Sequence, residues 1–384
     1  MHFIDAFIGG IGLIEMTIPR AIMILFALLL AYLAIAKKYE PLLLLPIAFG
    51  MMIANIPVAG LSAHDEGGLM WYLYQGIAKG IYPPMIFLCL GVMTDFGPLI
   101  ASPRTALIGL GGQLGIFAAF GGSLLLGNFF YPFIPGFDGI TLAEAASIGI
   151  IGSSDGPTSI LTASTLAPEI LSIITIAAYS YMALIPIIQP PIMRALTTEK
   201  ERIIVMPEPK RVSRRQKIFF PIAITLITLL LVPATGPLIS MLMLGNLIKE
   251  SGVTERFVRT LHNDVLNILT LLIGVSIGAT TSADRILNFQ TLLIISLGLL
   301  AFCIGTVGGV LVAKLLCKTT GGKVNPLIGN SGVSAMPMAA RVSQKLGQEY
   351  NSQNHLLMHA MGPIVSSTIG SAIIAGIFMT LFGS

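Results

Sequence analysis

The chain has 384 residues, of which 54% are hydrophobic and only 10% are charged. Soluble domains carry about 25% charged residues, so this composition excludes an ordinary soluble protein and indicates an integral membrane protein. The net charge of +4 comes largely from one loop and gives no reason to expect nucleic-acid binding. The three cysteines are scattered, and no Cys/His cluster has the spacing of a metal site.

Apolar segments follow one another along the chain, and several exceed the roughly 20 residues that a membrane-crossing helix needs. Six precede a basic linker at 194–217 and six follow it. The predicted segments are 16–37, 41–60, 83–101, 105–128, 139–164, 168–194, 218–235, 237–249, 262–283, 290–316, 325–346 and 353–382. The fifth segment of each half is interrupted by Gly, Pro and small polar residues. This shared order predicts two repeats, 1–193 and 218–384.

Basic residues indicate which side of the membrane each loop occupies, because Lys and Arg collect on the cytoplasmic side. Eight of the 22 Lys and Arg residues lie in the linker 194–217, which we therefore place in the cytoplasm. The first interrupted segment, 139–164, begins outside, and the helix after it must end at the linker. If that helix, 168–194, crosses the membrane, it starts outside. The segment 139–164 should therefore enter and leave on the outer face. The same argument makes 325–346 enter and leave on the cytoplasmic face.

Two opposed re-entrant hairpins of this kind are typical of inverted-repeat transporters. Each arm of about ten helical residues reaches about 15 Å, half of the hydrocarbon core, so the two tips can meet near the bilayer midplane. We therefore predict an all-α polytopic membrane protein made of two inverted repeats. Unwound backbone at that depth is tolerated only where protein buries it or it lines a cavity, so the tips mark the expected ion or substrate site.

Asp155 lies at the break of the first hairpin. A carboxylate at mid-depth is costly unless a cation or a proton balances its charge, so this group can bind either Na⁺ or H⁺. Hard cations prefer oxygen ligands, and Ser153, Ser154 and Thr158 supply hydroxyls within a turn. Asp155 could instead only cap the helix that follows it, although capping and ion binding can coexist.

The second break offers uncharged oxygens at Asn325 and Ser334, with Gly329 between them. Asn325 could be only a helix cap, Ser334 could only permit close helix packing, and Gly329 could serve the break itself. Arg341 is either a planar anion receptor or an ordinary positively charged anchor at the cytoplasmic face. Tyr181, midway along the sixth segment, is either a proton donor or a packed aromatic residue.

Some chemistries are excluded by missing motifs. The chain contains no Gly-Lys-Ser/Thr phosphate loop, so it does not hydrolyse ATP. It also lacks the Ala-Met-Lys-Met sequence to which biotin is attached, because 335–338 has proline in place of the lysine.

These motifs resemble those of the membrane β subunit of the sodium-pumping, biotin-dependent decarboxylases, which act on oxaloacetate, methylmalonyl-CoA, malonate or glutaconyl-CoA. The resemblance covers nearly the whole chain and is carried by 93–98, 144–158, 178–198, 243–252, 325–343 and 357–363. It implies that the chain decarboxylates carboxybiotin, consumes a proton and exports Na⁺ across the cell inner membrane. The biotin would be covalently bound to a partner. The implied partners are a carboxyltransferase α subunit, a biotin carrier protein, a small membrane γ/δ subunit and further copies of the β subunit.

The resemblance also implies roles for individual residues. Asp155 would bind the ion, with Asn325, Ser334 and Gly329 as its partners in the second break. Arg341 would bind the carboxybiotin end, together with Asn325, and Tyr181 would transfer protons. The implied catalytic residues are Asp155, Tyr181 and Arg341.

The sequence departs from the oxaloacetate members at Ile364, where those members carry asparagine. An apolar side chain supplies no oxygen ligand, so a second Na⁺ site at this position would be missing or rebuilt with Ser366, Ser367 or Thr368. The first break also carries two serines before Asp155 where the family often has small residues without hydroxyls.

The residues and the resemblance together predict one subunit of a decarboxylation-driven sodium pump. In this hypothesis Na⁺ enters from the cytoplasm and binds between the tips while carboxybiotin docks near Arg341. A returning proton then displaces Na⁺ through Asp155 and Tyr181 and is consumed as CO₂ leaves biotin. The alternative is a secondary Na⁺/H⁺ or Na⁺/organic-anion transporter, which also needs two broken segments and a carboxylate. A non-catalytic membrane anchor for a soluble decarboxylase is a third possibility.

Overall fold

The computed structural model describes residues 11–38, 41–135, 137–208, 211–281, 289–336 and 338–383. These residues form helices and connecting turns, and no strand occurs among them. The α-helices before residue 200 are α1 (Ile18–Ala36), α2 (Pro41–Ala54), α3 (Leu69–Ala78), α4 (Tyr82–Met93), α5 (Gly97–Ala101), α6 (Ala106–Gly112), α7 (Leu114–Phe130), α8 (Leu142–Ile151), α9 (Gly156–Leu166), α10 (Leu171–Leu196) and α11 (Glu199–Arg202).

The α-helices of the remaining chain are α12 (Arg214–Leu231), α13 (Gly236–Ser251), α14 (Glu255–Thr260), α15 (Leu266–Thr280), α16 (Phe289–Thr319), α17 (Met338–Tyr350) and α18 (Leu357–Phe382). A π-helical turn, Leu261–Val265, joins α14 to α15, and a 3₁₀ helix, Pro326–Gly332, precedes α17. Every apolar segment predicted from the sequence contains a helix or a pair of helices, and residues 282 and 283 of the predicted segment 262–283 lie outside the described residues.

Several of these helices are long and apolar enough to cross a membrane. In the described part of the chain five qualify singly, or seven if each of two bent helix pairs counts as one span. One bend, of 61°, lies in α10 between Met182 and Leu184. Pro186 has no N–H to donate to the carbonyl of Met182, which accounts for a bend at this point. The predicted class, an all-α polytopic membrane protein, is confirmed.

Both interrupted segments are helix–break–helix units at the predicted residues. In the first, α8 ends at Ile151 and α9 begins at Gly156, with Pro157 in its first turn, where a missing N–H is harmless. In the second, the 3₁₀ helix ends at Gly332 and α17 begins at Met338. That the two halves form inverted repeats, and that each unit is re-entrant, stay predictions.

The helices pack in pairs that match between the two halves. Helix α2 packs on α15, and α4 packs on α13. In both pairs glycine brings the backbones together, since a Cβ on Gly50 would lie 2.3 Å from the carbonyl oxygen of Val275. A Cβ on Gly91 would lie 2.0 Å from the carbonyl oxygen of Leu242. In lipid there is no hydrophobic driving force between helices, so close packing at small residues is what holds them together.

Two groups of helices can be distinguished by their packing. The outer group contains α1, α2, α4, α12, α13 and α15. The hairpin group contains α6 to α10 and α16 to α18, and it includes both breaks. A buried apolar cluster surrounds the first break, and a second cluster surrounds the 3₁₀ helix and α17. The breaks are therefore buried in protein, as unwound backbone in a membrane protein must be unless it lines a water-filled cavity.

Candidate functional site

The breaks of the two halves are in direct contact. The backbone N–H of Ser334 donates a 2.8 Å hydrogen bond to the carbonyl oxygen of Ser153. The Ser334 hydroxyl donates to the hydroxyl of Ser367 on α18 at 2.9 Å, and Gln113 Nε2 donates to the same Ser367 oxygen at 2.9 Å. The polar groups of both halves thus meet at one place inside the hairpin group.

Asp155 lies at this contact and is only 4% exposed. It caps α9, because Oδ1 accepts a 3.3 Å hydrogen bond from the N–H of Thr158. Its Oδ2 accepts a 2.8 Å hydrogen bond from the Ser371 hydroxyl on α18. Among the described residues, no Lys, Arg or His lies within ion-pair distance of Asp155. Asp155 is therefore a helix cap, as the alternative interpretation expected. Its negative charge has no positive partner among the described residues, so a cation or a proton can balance it.

Among the described residues, two hydroxyls near Asp155 are buried without a hydrogen-bond partner of normal geometry. They are Ser154 Oγ and Thr158 Oγ1. Ser154 also has φ of 57°, in the left-handed region that residues other than glycine seldom occupy. Ser153, by contrast, donates its hydroxyl to the carbonyl of Ile150 at 2.8 Å. Of the three hydroxyls expected near the ion, that of Ser154 is free to coordinate a hard cation, which requires oxygen ligands, and that of Thr158 lies against the Asp155 carboxyl group.

A cavity of about 320 Å³ opens beside Asp155, between the hairpin group and the outer group. Its polar lining in the hairpin group comes from Ser154, Asp155, Tyr179, Ser334 and Thr368, and the outer group contributes mainly apolar side chains. A cation in this cavity would therefore find most of its oxygen ligands in the hairpin group, and the described part of the outer group adds two polar residues of α15, Asn267 and Thr270.

The structure places Asn325 and Gly329 away from this cavity. Asn325 caps the 3₁₀ helix by accepting from the N–H of Leu327 at 2.9 Å, and its Nδ2 donates to the carbonyls of Arg202 and Ile204 at 3.0 and 2.8 Å. A Cβ on Gly329 would lie 2.4 Å from the Cα of Val310, so this glycine allows α16 to approach. In this conformation both residues have structural contacts, and their ion-binding role stays a prediction.

The two tyrosines near the middle of α10 point in different directions. The Tyr181 hydroxyl donates to the carbonyl of Ile295, and its ring packs on Gly298 of α16. Tyr179 lines the Asp155 cavity instead. Residues two positions apart on an α-helix are separated by about 200°, so only one of them can face the cavity. The sequence interpretation singled out Tyr181, and its role in proton transfer stays a prediction.

Ser371 was missed from the sequence, although a signal was present. Ser371 follows Thr368 by three residues and Ser367 by four in a mainly apolar helix, which places its hydroxyl on the same face as theirs. A polar face on a membrane helix has to meet other polar groups. In the structure it meets Ser334 and Asp155.

At the position of the sequence departure, Ile364 is fully buried in the apolar core. Ser366 donates its hydroxyl to the carbonyl of Ala106 at 3.0 Å, and Ser367 is engaged with Ser334 and Gln113. Thr368 donates to the carbonyl of Ile364 at 3.0 Å and lines the cavity. Among these three hydroxyls, that of Thr368 is the one placed beside Asp155.

Arg341 lies on α17, which follows the second break, and its side chain is exposed. Within the described ranges it forms no hydrogen bond or ion pair, so its guanidinium is available to an anion. The linker packs against the same helix. Arg202 is buried, donates to the Tyr350 hydroxyl at 2.8 Å and lies over the Tyr350 ring at 4.8 Å. A conformational change in the linker would therefore be transmitted directly to α17 through the Arg202–Tyr350 contact.

Comparison with known proteins agrees with these motifs. Residues 19–382 match the family model of the Na⁺-transporting oxaloacetate decarboxylase beta subunit. The chain is 48% identical to the methylmalonyl-CoA decarboxylase subunit beta of Propionigenium modestum, with 98% of each chain covered. It is also 48% identical to the oxaloacetate decarboxylase beta chain 2 of Salmonella typhi, with 99% of each covered. It is 48% identical to the glutaconyl-CoA decarboxylase subunit beta of Acidaminococcus fermentans, with 97% of this chain and 96% of the relative covered. The chain therefore belongs to the family of β subunits of the Na⁺-transporting decarboxylases.

Proposed function

We propose that this membrane subunit of a decarboxylation-driven Na⁺ pump binds the transported ion at Asp155. The observation that carries the proposal is a buried carboxylate without a cationic partner at the contact between two broken helices. Two buried hydroxyls without a partner of normal geometry among the described residues lie near it. Na⁺ bound there would neutralise the carboxylate, and a proton would neutralise it when Na⁺ leaves. Asp155 would then never carry an unbalanced charge through the protein interior.

The energy source in this proposal is the decarboxylation of carboxybiotin, which a carrier protein presents at the cytoplasmic face. Moving one charge against 100 mV requires about 2.3 kcal/mol, so the reaction has to be linked to ion movement. Arg341 is a suitable anion receptor because its guanidinium is exposed and pairs with none of the described residues. It lies on the helix that follows the second break, so an anion bound there would act on the Ser153–Ser334 contact through α17. Proton transfer through Tyr181 and a contribution of Asn325 at the carboxybiotin end belong to the same proposal.

Further parts of the proposal concern the assembly. A carboxyltransferase α subunit, a biotin carrier protein, a small membrane γ/δ subunit and further copies of this chain would complete the pump in the inner membrane. The linker 194–217 would face the cytoplasm, where its basic residues are favoured.

The two halves would be inverted repeats, and three pairs of packing relationships support this. The α2–α15 packing corresponds to the α13–α4 packing, and the α1–α2 packing corresponds to the α12–α13 packing. The α10–α16 packing corresponds to the α18–α6 packing. Alternating access would then be a movement of the hairpin group against the outer group, with the Asp155 cavity between them.

Reconstitution of the whole complex into inverted vesicles tests the proposed function. We expect Na⁺ uptake that depends on decarboxylation and stops when avidin binds the biotin. Uptake that is driven by a solute gradient without biotin would instead indicate a secondary transporter. Decarboxylation without any Na⁺ uptake would indicate a membrane anchor.

A further inference from the structure

We propose that Tyr179 is part of the ion site. Its hydroxyl would coordinate Na⁺ when the ion is bound at Asp155 and would donate a hydrogen bond to the protonated carboxyl group when the ion is absent. This inference rests on the proposed function of Asp155. It is carried by the placement of Tyr179 against the Asp155–Gly156 backbone and in the Asp155 cavity.

The first observation is a close approach between Tyr179 and Gly156. A Cβ on Gly156 would lie 2.4 Å from the Tyr179 ring carbon Cζ and 2.6 Å from the hydroxyl oxygen. Real Cβ atoms do not come this close to other heavy atoms, so the ring occupies space that any other residue at position 156 would fill. Gly156 directly follows Asp155, and the absence of its side chain lets the phenol lie over the backbone of the ion-binding residue.

The second observation concerns the hydroxyl itself. Tyr179 is half-buried and lines the cavity that also contains Asp155, Ser154 and Thr368. Its hydroxyl forms no hydrogen bond with any of the residues described. A polar group directed into a mainly apolar cavity without a partner is unfavourable unless a ligand or water occupies that cavity.

The chemistry of a phenol suits both states of the site. Its oxygen has lone pairs for a cation, and its O–H can be donated to a carboxylate. The serine hydroxyl that now bonds to Asp155, that of Ser371, occupies only Oδ2, and the Thr158 N–H occupies Oδ1. A third neutral donor would help to hold the Asp155 side chain after a proton has replaced Na⁺, because a protonated carboxyl group still accepts hydrogen bonds.

Substitution of Tyr179 by phenylalanine tests this directly, because it removes the oxygen and keeps the ring. Tyr82→Phe is the matched control, since the Tyr82 ring also packs on a glycine: a Cβ on Gly76 would lie 2.1 Å from its Cζ. In the purified complex we expect Tyr179→Phe to raise the Na⁺ concentration for half-maximal decarboxylation about tenfold, the effect of about 1.4 kcal/mol of lost binding free energy. We expect Tyr82→Phe to leave it within twofold.

A second readout does not depend on turnover. Na⁺ added in place of choline should raise the thermal unfolding temperature of the wild-type complex, because a ligand stabilises the state that binds it. At the same Na⁺ concentration the rise should be smaller for Tyr179→Phe. Wild-type values for Tyr179→Phe in both assays would overturn the inference. A wild-type complex that shows no Na⁺ dependence would overturn the proposed function instead.

Gly156→Ala provides an independent check on the position of the ring. The added methyl must displace the phenol. The Na⁺ concentration for half-maximal decarboxylation should therefore rise, as it does for Tyr179→Phe. The two substitutions act on one contact, and Gly156→Ala should add less than twofold when phenylalanine is already present at position 179. Full additivity of the two effects would contradict the assigned contact.

Discussion

Ser371 Oγ donates a 2.8 Å hydrogen bond to Oδ2 of Asp155, which connects the last helix of the chain to the first break. The same helix bonds to the second break through Ser367 and Ser334. Helix α18 therefore contacts both breaks through hydroxyl groups. This arrangement fixes the orientation of the carboxylate relative to the opposite half.

Removal of the Ser371 hydroxyl should weaken ion binding. Ser371→Ala removes the donor that orients Oδ2, so that Na⁺ binding must also reorient the carboxylate, and a hydrogen bond to a charged group contributes about 1.5–3 kcal/mol. We expect the Na⁺ concentration for half-maximal decarboxylation to rise at least tenfold. Ser123→Ala is the control, because this buried hydroxyl donates to the Phe120 carbonyl of its own helix and has no other partner in the part of the chain that the structure describes. Equal Na⁺ requirements in the two variants would contradict the role of Ser371.

Arg341→Gln should impair the use of carboxybiotin more than it impairs ion binding. The substitution keeps a polar side chain and removes the charge and the planar fork that bind a carboxylate. We expect the rate of carboxybiotin decarboxylation to fall at least tenfold, while the Na⁺-induced rise in unfolding temperature stays near the wild-type value. Lys345→Gln, an exposed residue on the same helix, serves as the control and should retain the wild-type rate. A similar loss in both variants would mean that general positive charge, and not Arg341, attracts the substrate.

Substitution of glycine by alanine should destabilise the protein where two helices are in close contact and not where the glycine faces open space. Gly91→Ala would place a methyl group 2.0 Å from the carbonyl oxygen of Leu242, which α4 and α13 can accommodate only by moving apart. Overpacking of this kind costs about 1–3 kcal/mol, so the unfolding temperature in detergent should fall. Gly121→Ala in α7 meets no atom within 4 Å and should be neutral or slightly stabilising. If Gly91→Ala were as stable as Gly121→Ala, the described packing would be wrong.

The linker carries a pH-dependent contribution to stability at Glu201. Burial raises the pKa of this carboxyl, but hydrogen bonds from the Thr198 N–H and hydroxyl and the ammonium of Lys314 at 3.5 Å outweigh it, so its pKa is below the ordinary value of 4.5. A carboxyl with a lowered pKa in the folded protein stabilises it above the unfolded-state pKa. That contribution disappears as the pH falls through the folded-state pKa.

Glu201→Gln should therefore be less stable than the wild type at pH 7, by about 1 kcal/mol for one charge-assisted contact. The difference in unfolding temperature should shrink below pH 4.5. Glu199→Gln removes an exposed carboxylate of the same short helix and serves as the control. A difference that grows as the pH falls would contradict the sign of the Glu201 contribution.

Much of the fold could be predicted because lipid imposes simple rules on a sequence. The lengths of the apolar segments predict where the helices lie. Gly, Pro and polar residues within such segments predict both breaks, as at Asp155 and Gly156. Asp155 itself was identifiable because a carboxylate is rare and costly within an apolar segment. These are properties of single segments and need no knowledge of which helices are neighbours.

The composition of the cavity could not be predicted, because it depends on helix rotation and on contacts between distant segments. Tyr179 and Tyr181 are equivalent in the sequence, and only the rotation of α10 decides which one faces Asp155. Asn325 was expected at the ion, but in this conformation its amide holds the linker carbonyls of Arg202 and Ile204. Ser371 lies 216 residues from Asp155, and nothing local connects the two.

The central claim is that Asp155 holds the transported Na⁺ at the contact between the two breaks. Equilibrium binding of radioactive Na⁺ to the purified complex tests it most directly, with wild type compared with Asp155→Asn, which keeps the shape of the side chain and removes its charge. We predict saturable binding to the wild type and none to the variant, although the variant complex still assembles. Saturable Na⁺ binding of wild-type affinity in Asp155→Asn would contradict the account.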